Sequence, residues 1–243
     1  MLSTPRHSAL TTEDLNKLKN SITVMSTGSR VLDKMLDGGF RNYSVAEIYG
    51  PAGSGKTRLI HQLLLMAAIT LEESIYHIDN EGNFRPSIVE DIAKKHKNYN
   101  KEMLNKIYVS RPITHEQFLA LLDFLSGIKV KFLSIDTIIT HIRMLPSKDY
   151  IKSLKEILIC LRNIANKGAF VVFTNQVTMK ESVVASGGKL IEYVIDYKLN
   201  LERVENRIKC TVDKPKPVKT EFFRIVSKGF IGYNEPLIYE DRT

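Results

Sequence analysis

Eight consecutive residues, Gly50-Pro-Ala-Gly-Ser-Gly-Lys-Thr57, are of the types needed to hold a polyphosphate. They fit the pattern G-x-x-x-x-G-K-S/T, in which successive backbone N–H groups converge on an anion. Gly50, Gly53 and Gly55 permit dihedrals that a Cβ forbids and let the backbone approach a phosphate. Pro51, Ala52 and Ser54 complete the loop and Arg58 follows it. Lys56 supplies a mobile charge for the β/γ-phosphates, and Thr57 offers a hydroxyl to Mg2+. The context agrees. Upstream, Ser44-Val-Ala-Glu-Ile-Tyr49 alternates as a strand does; downstream, Leu59, Ile60, Leu63, Leu64 and Ala67 recur at helical spacing. A helix opening at Lys56 adds its partial positive charge where the phosphates would lie, so the motif predicts binding of a nucleoside triphosphate.

Hydrolysis requires a second carboxylate for the metal and a group that orients water. Asp136 ends the apolar run Val130-Lys-Phe-Leu-Ser-Ile135, which places it at the carboxyl edge of a sheet, beside the loop. Glu81 closes another strand pattern, Ser74-Ile-Tyr-His-Ile78 with Asp79-Asn-Glu81, and is the candidate base. Gln176, after Ala169 to Asn175, could donate to the γ-phosphate and report its loss.

The elements that must position these groups alternate along the chain. Residues 1–24 read as an appendage with one short helix begun by Thr11-Thr-Glu-Asp14, and residues 25–243 as a single core domain. A second helix start at Ser26-Thr-Gly28 leads to Leu36 and stops at Gly38-Gly39. Helices are predicted over Pro86–His96, Thr114–Leu125 and Asp149–Lys167, with further strands at Ile107–Val109 and Ala169–Phe173. Near-continuous apolar strands fit a parallel sheet covered on both faces. After Gly187-Gly188 the pattern becomes short strands at 194–202, 207–213, 221–226 and 229–232, an antiparallel extension. The expected fold is α/β, a mostly parallel central sheet flanked by helices.

Composition is that of an ordinary globular chain, with 43% apolar and 26% charged residues in 243. Leu59–Leu71 is too short to span a bilayer and the N-terminus lacks a signal-peptide core, so a cytoplasmic protein without membrane contact is expected. Cys160 and Cys210 lack metal-ligand spacing and fit free thiols. The net charge of +8 favours a polyanionic partner. Most of it is local: Lys198–Lys228 holds nine Lys/Arg against four Asp/Glu.

Four segments together, Ser26 to Gly39, Glu47 to Thr57, Ile78 to Pro86 and Thr174 to Val177, closely resemble the RecA/RadA recombinase core, with the likeness running from about residue 24 to about 235. The resemblance implies a RecA-like phosphate-loop NTPase fold using ATP and Mg2+, with Glu81 as general base, Asp136 as the metal-holding aspartate and Gln176 coupling nucleotide state to a DNA-contacting loop. It implies DNA contact, mainly to phosphates of single strands, for which Arg143, Lys148 and Lys180 are the candidates. Asp213-Lys214 falls where the family caps a neighbour's nucleotide. The departures are a missing Phe-x-x-Ala hook, no helix-hairpin-helix domain ahead of the core, two shortened DNA loops (140–149 and 177–186) and Ile88 in place of an adenine-packing arginine. They make the chain similar to the archaeal RadA paralogs, RadB among them. It is expected to be a weakly hydrolysing, nucleoid-associated modulator of homologous recombination and DNA repair, with the main RadA recombinase or other recombination proteins as partners. A KaiC-like signalling ATPase is the alternative, although that group carries paired glutamates where this chain has Asn80-Glu81-Gly82. A small-molecule phosphotransferase would want an Arg-rich lid that Asp149–Lys167 does not offer, and a scaffold that binds nucleotide without needing hydrolysis is a further reading.

Overall fold

The computed structural model describes residues 21–71, 74–94, 96, 100–176, 184–227 and 229–235. Its centre is a nine-stranded sheet built around β3 (Ser44–Gly50), the strand that feeds the glycine loop. On one side of β3 lie in turn β7 (Phe170–Gln176), β6 (Phe132–Asp136), β4 (Ile75–Asp79) and the edge strand β5 (Ile107–Ser110), all parallel. On the other side β8 (Tyr197–Val204) is also parallel to β3, and β9 (Arg207–Lys214), β10 (Lys219–Val226) and β11 (Gly229–Gly232) continue antiparallel. A separate two-residue ladder pairs β1 (Val24–Met25) with β2 (Phe40–Arg41). The fold is the expected RecA-like α/β arrangement, with one refinement: the first strand of the extension joins the parallel half.

Two apolar layers hold it. On one face α1 (Arg30–Met35), α2 (Lys56–Thr70) and α3 (Pro86–Ala93) pack on Ile48, Val172, Leu199, Leu201, Ile208, Val212 and Phe223. On the other, α4 (His115–Gly127), α5 (Ser147–Asn166) and α6 (Val184–Val194) cover Val45, Ile78, Leu133, Ile135, Val171 and Phe173. β6 is buried at every position, the signature of a strand covered on both sides.

Several boundaries differ from expectation. The cap of α1 is Ser29, whose hydroxyl accepts from the Leu32 amide; Ser26 instead donates to Asp33, which also accepts from the Thr27 amide at 2.7 Å. Helix α3 ends at Ala93 rather than His96. The region predicted as a strand from 194 begins inside α6, which runs through Gly187-Gly188 and places buried Ile191 toward the second core. β7 extends through Gln176. The helix begun at Thr11 lies outside the described residues, and no described helix is long and apolar enough to cross a membrane.

Candidate active site

The glycine loop sits where β3 ends and α2 begins. Gly50 has φ 151°, and a Cβ there would stand 2.0 Å from the Leu201 carbonyl oxygen, so β8 presses against the loop's first residue. At Gly55 (φ 99°), the residue before the helix, a Cβ would meet Ile208 and Ile225 of β9 and β10. The antiparallel extension is thus the wall against which the loop is folded. Helix α2 opens with no side-chain cap and no acidic residue in its first turn. Its first amides have no intrahelical acceptors and its dipole is uncompensated, which suits an anion.

Around this loop the polar groups converge. The Lys56 ammonium donates to the carbonyls of Gly50 (2.9 Å) and Pro51 (2.7 Å), and burial lowers its pKa while Asp136 and Glu81 oppose the shift. Thr57 Oγ1 donates to Asp136 Oδ2 across 2.7 Å, and Thr174 Oγ1 donates to Asp136 Oδ1. Asp136 is buried, ends β6 as expected, and is joined to Thr137 by a cis peptide. Its carbonyl accepts from the Asn80 amide at 2.9 Å, which ties β6 to the loop carrying Glu81. Glu81 is half-buried, and its pKa is raised first by burial and then by Asp136, with Arg143 and Lys56 pulling it back. Gln176 stands opposite Gly50 in the β3–β7 register, at the mouth of the loop.

Sequence reasoning missed what holds Glu81 there. Asp79 accepts from the amides of Asn83 (2.9 Å) and Phe84 (3.0 Å) and from Arg111 Nε (2.8 Å), so its buried carboxylate folds residues 79–84 into a fixed loop. Arg111 also donates to the Phe84 carbonyl at 3.0 Å. The signal was present in the apolar strand ending at Asp79, but its partner lies just past the end of β5, 32 residues along the chain. Gln62 was likewise unremarked: it bonds the Thr27 carbonyl, the Phe230 carbonyl and the Phe230 amide, fastening α2 to the N-terminal segment and β11.

Other predicted residues stand elsewhere. Arg58 turns away from the loop and donates to the Val226 (2.8 Å) and Ser227 (3.3 Å) carbonyls. Arg143, exposed on the turn after β6, lies within electrostatic reach of Glu81, and Lys148 is exposed in the first turn of α5. Lys180 and residues 177–183 of the second loop lie outside the described residues. Asp213 and Lys214 are the last two residues of β9. Asp213 accepts from the Tyr49 hydroxyl at 2.7 Å, and Lys214 donates to the Glu192 and Ile195 carbonyls.

A strand-fed glycine loop, an aspartate at the end of a neighbouring strand and an antiparallel C-terminal wing form one arrangement, and the profile of the Rad51 family matches this chain over residues 18–232. The chain belongs to the Rad51 family. That match covers every described strand, so the Rad51-family core and the described fold coincide along the chain. Proteins of this ATPase family characteristically use ATP with Mg2+ and act on DNA.

Proposed function

We propose that this chain binds ATP with Mg2+, hydrolyses it weakly, contacts DNA, and serves as an accessory to a principal recombinase in homologous recombination, in the manner of the archaeal RadA paralogs. The observation that carries the reading is the Thr57–Asp136 hydrogen bond at the mouth of the glycine loop. It joins the two oxygens that would share a divalent cation. The loop fits a triphosphate in a second respect: among the described residues Ser54 Oγ is buried without a hydrogen-bond partner, and a Cβ at Gly53 would meet none of them within 4 Å. In this reading the loop amides and Lys56 hold the phosphates, while Thr57 and Asp136 hold the metal. When bound, Mg2+ supplies neutralisation of charge on the phosphate oxygens. Glu81 accepts a proton from the attacking water, and its raised pKa makes it a stronger base. Gln176, beside the loop and adjoining residues 177–183, passes the state of the site to the DNA-facing segment.

Two measurements test it. ATP hydrolysis should rise when single-stranded DNA is added, and co-purification from the native host with ATP and Mg2+ should bring down a recombinase. Hydrolysis indifferent to DNA, with no recombination protein recovered, would remove the accessory role.

A further inference from the structure

The loop that carries Glu81 is fastened from two directions. On the sheet side, Asp79 and Arg111 hold it to β4, and the Asn80 amide and side chain donate to the carbonyls of Asp136 (2.9 Å) and Thr137 (2.8 Å). None of these bonds reaches α2, the helix that opens at Lys56 and Thr57. His61 makes that connection. It lies one turn past Thr57, is 2% exposed, and its Nε2 accepts from the Arg85 amide at 3.2 Å. Among the described residues this is the only hydrogen bond between α2 and residues 79–85. Arg85 is the cap of α3, so its amide has no partner within that helix. The imidazole also lies against Phe84, with ring centroids 5.3 Å apart and 23° between the planes, and His77 packs on the same phenyl ring at 5.0 Å. Packing alone does not call for a histidine here. An apolar side chain would fill the space against Phe84 without the cost of burying a polar ring.

We propose that His61 is a positioning residue for hydrolysis, which fixes the Glu81 loop to the helix that holds the phosphates so that base and triphosphate share one frame. This role rests on the reading of Glu81 as the base. Asp79 and Arg111 set where the loop stands on the sheet; His61 sets where it stands against α2. A displacement of about 1 Å at a reacting group costs up to about a hundredfold in rate. The loop amides and Lys56 hold the phosphates without help from residues 79–85. Loss of the His61 bond therefore changes turnover and leaves nucleotide affinity intact.

Three variants separate the acceptor from the ring, with thermal midpoints confirming that each folds. His61→Phe keeps a ring against Phe84 and loses the acceptor, His61→Gln keeps an acceptor at similar reach and loses the ring, and His61→Leu loses both. Affinity for a fluorescent ATP analogue should stay within about twofold of the parent in all three, while kcat falls about tenfold in His61→Phe and His61→Leu and stays near parental in His61→Gln. In the nucleotide-free protein, hydrogen exchange of the peptide covering residues 80–86 should quicken several-fold in His61→Phe and not in His61→Gln. His61→Phe added to Glu81→Gln should lower phosphate release no further, because the loop then has no base to place. Parental turnover or parental exchange in His61→Phe, a loss in His61→Gln equal to that in His61→Leu, or independent losses in the double variant would overturn the proposal. So would a fall in ATP affinity that accounts for the whole fall in kcat/KM, since His61 would then only shape the phosphate loop. Parental release from Glu81→Gln would remove the base assignment and this role with it, whereas a loss there beside parental turnover in His61→Phe would remove the role of His61 alone.

Discussion

Arg111 donates to Asp79 across 2.8 Å, and the carboxylate it reaches is completely shielded from solvent. Through the two amides that Asp79 also accepts, this pair fixes the loop on which Glu81 stands. The candidate base is therefore placed by its neighbour Asp79 together with a residue just past the next strand in sequence.

Arg111→Ala should leave ATP binding nearly unchanged and slow hydrolysis about tenfold, because a base displaced by an ångström loses alignment. Removing a hydrogen bond to a charged, buried acceptor should also cost about 1–3 kcal/mol in urea unfolding. A variant with parental turnover would show that Asp79 holds the loop without this arginine.

The two loop glycines should respond differently. At Gly50 an alanine Cβ collides with the Leu201 carbonyl, so Gly50→Ala should push the loop off β8 and abolish nucleotide binding. At Gly53, where an added Cβ would meet none of the described residues within 4 Å and φ is 74°, the change should cost about 1–2 kcal/mol of backbone strain and weaken binding modestly. Equal losses in a titration with a fluorescent ATP analogue would contradict the wall that β8 provides.

Gln62→Leu preserves volume and removes three hydrogen bonds that join α2 to the Thr27 carbonyl and to both backbone groups of Phe230. Buried backbone groups left unpaired should destabilise the protein by about 3 kcal/mol, read as a lower denaturant midpoint. Little change would mean water replaces the amide.

His77 is buried on β4 with Nδ1 2.9 Å from Ser134 Oγ, and burial lowers its pKa to about 4. The folded state thus favours the neutral ring. Its contribution is complete above the unfolded value near 6.5 and is lost as pH falls from there through 4, an effect of about 3 kcal/mol at most. His77→Gln should flatten the stability profile across that window; an unchanged slope would assign it to other groups, such as His61, whose pKa burial also lowers.

The parallel half of the fold was legible because β4, β6 and β7 are largely apolar runs ended by polar residues at the sheet edge, while β3 alternates and runs into the glycine loop. That rule points to Asp136, the last residue of β6, whereas β4 ends at Asp79 and Glu81 stands two residues beyond it. Helix α6 was not, because Gly187-Gly188 reads locally as a break, while the packing of Ile191 and Ile195 against the second core overrides that propensity. Ser29 was passed over for Ser26 because both are cap residues, and only the surrounding bonds to Asp33 separate them. Arg58 looked like part of the loop by position, yet its length carries it to the β10 carbonyls. Asp79–Arg111 and Gln62–Phe230 join distant segments and leave no local periodicity to detect.

The central claim is that Glu81 activates water at a triphosphate held by the Lys56 loop. It is tested most directly by phosphate release from Glu81→Gln, with ATP binding followed in the same reaction. Binding equal to the parent with release reduced a hundredfold or more, on the order general-base removal gives, is the predicted result. Release at the parental rate, with ATP still bound, would contradict it.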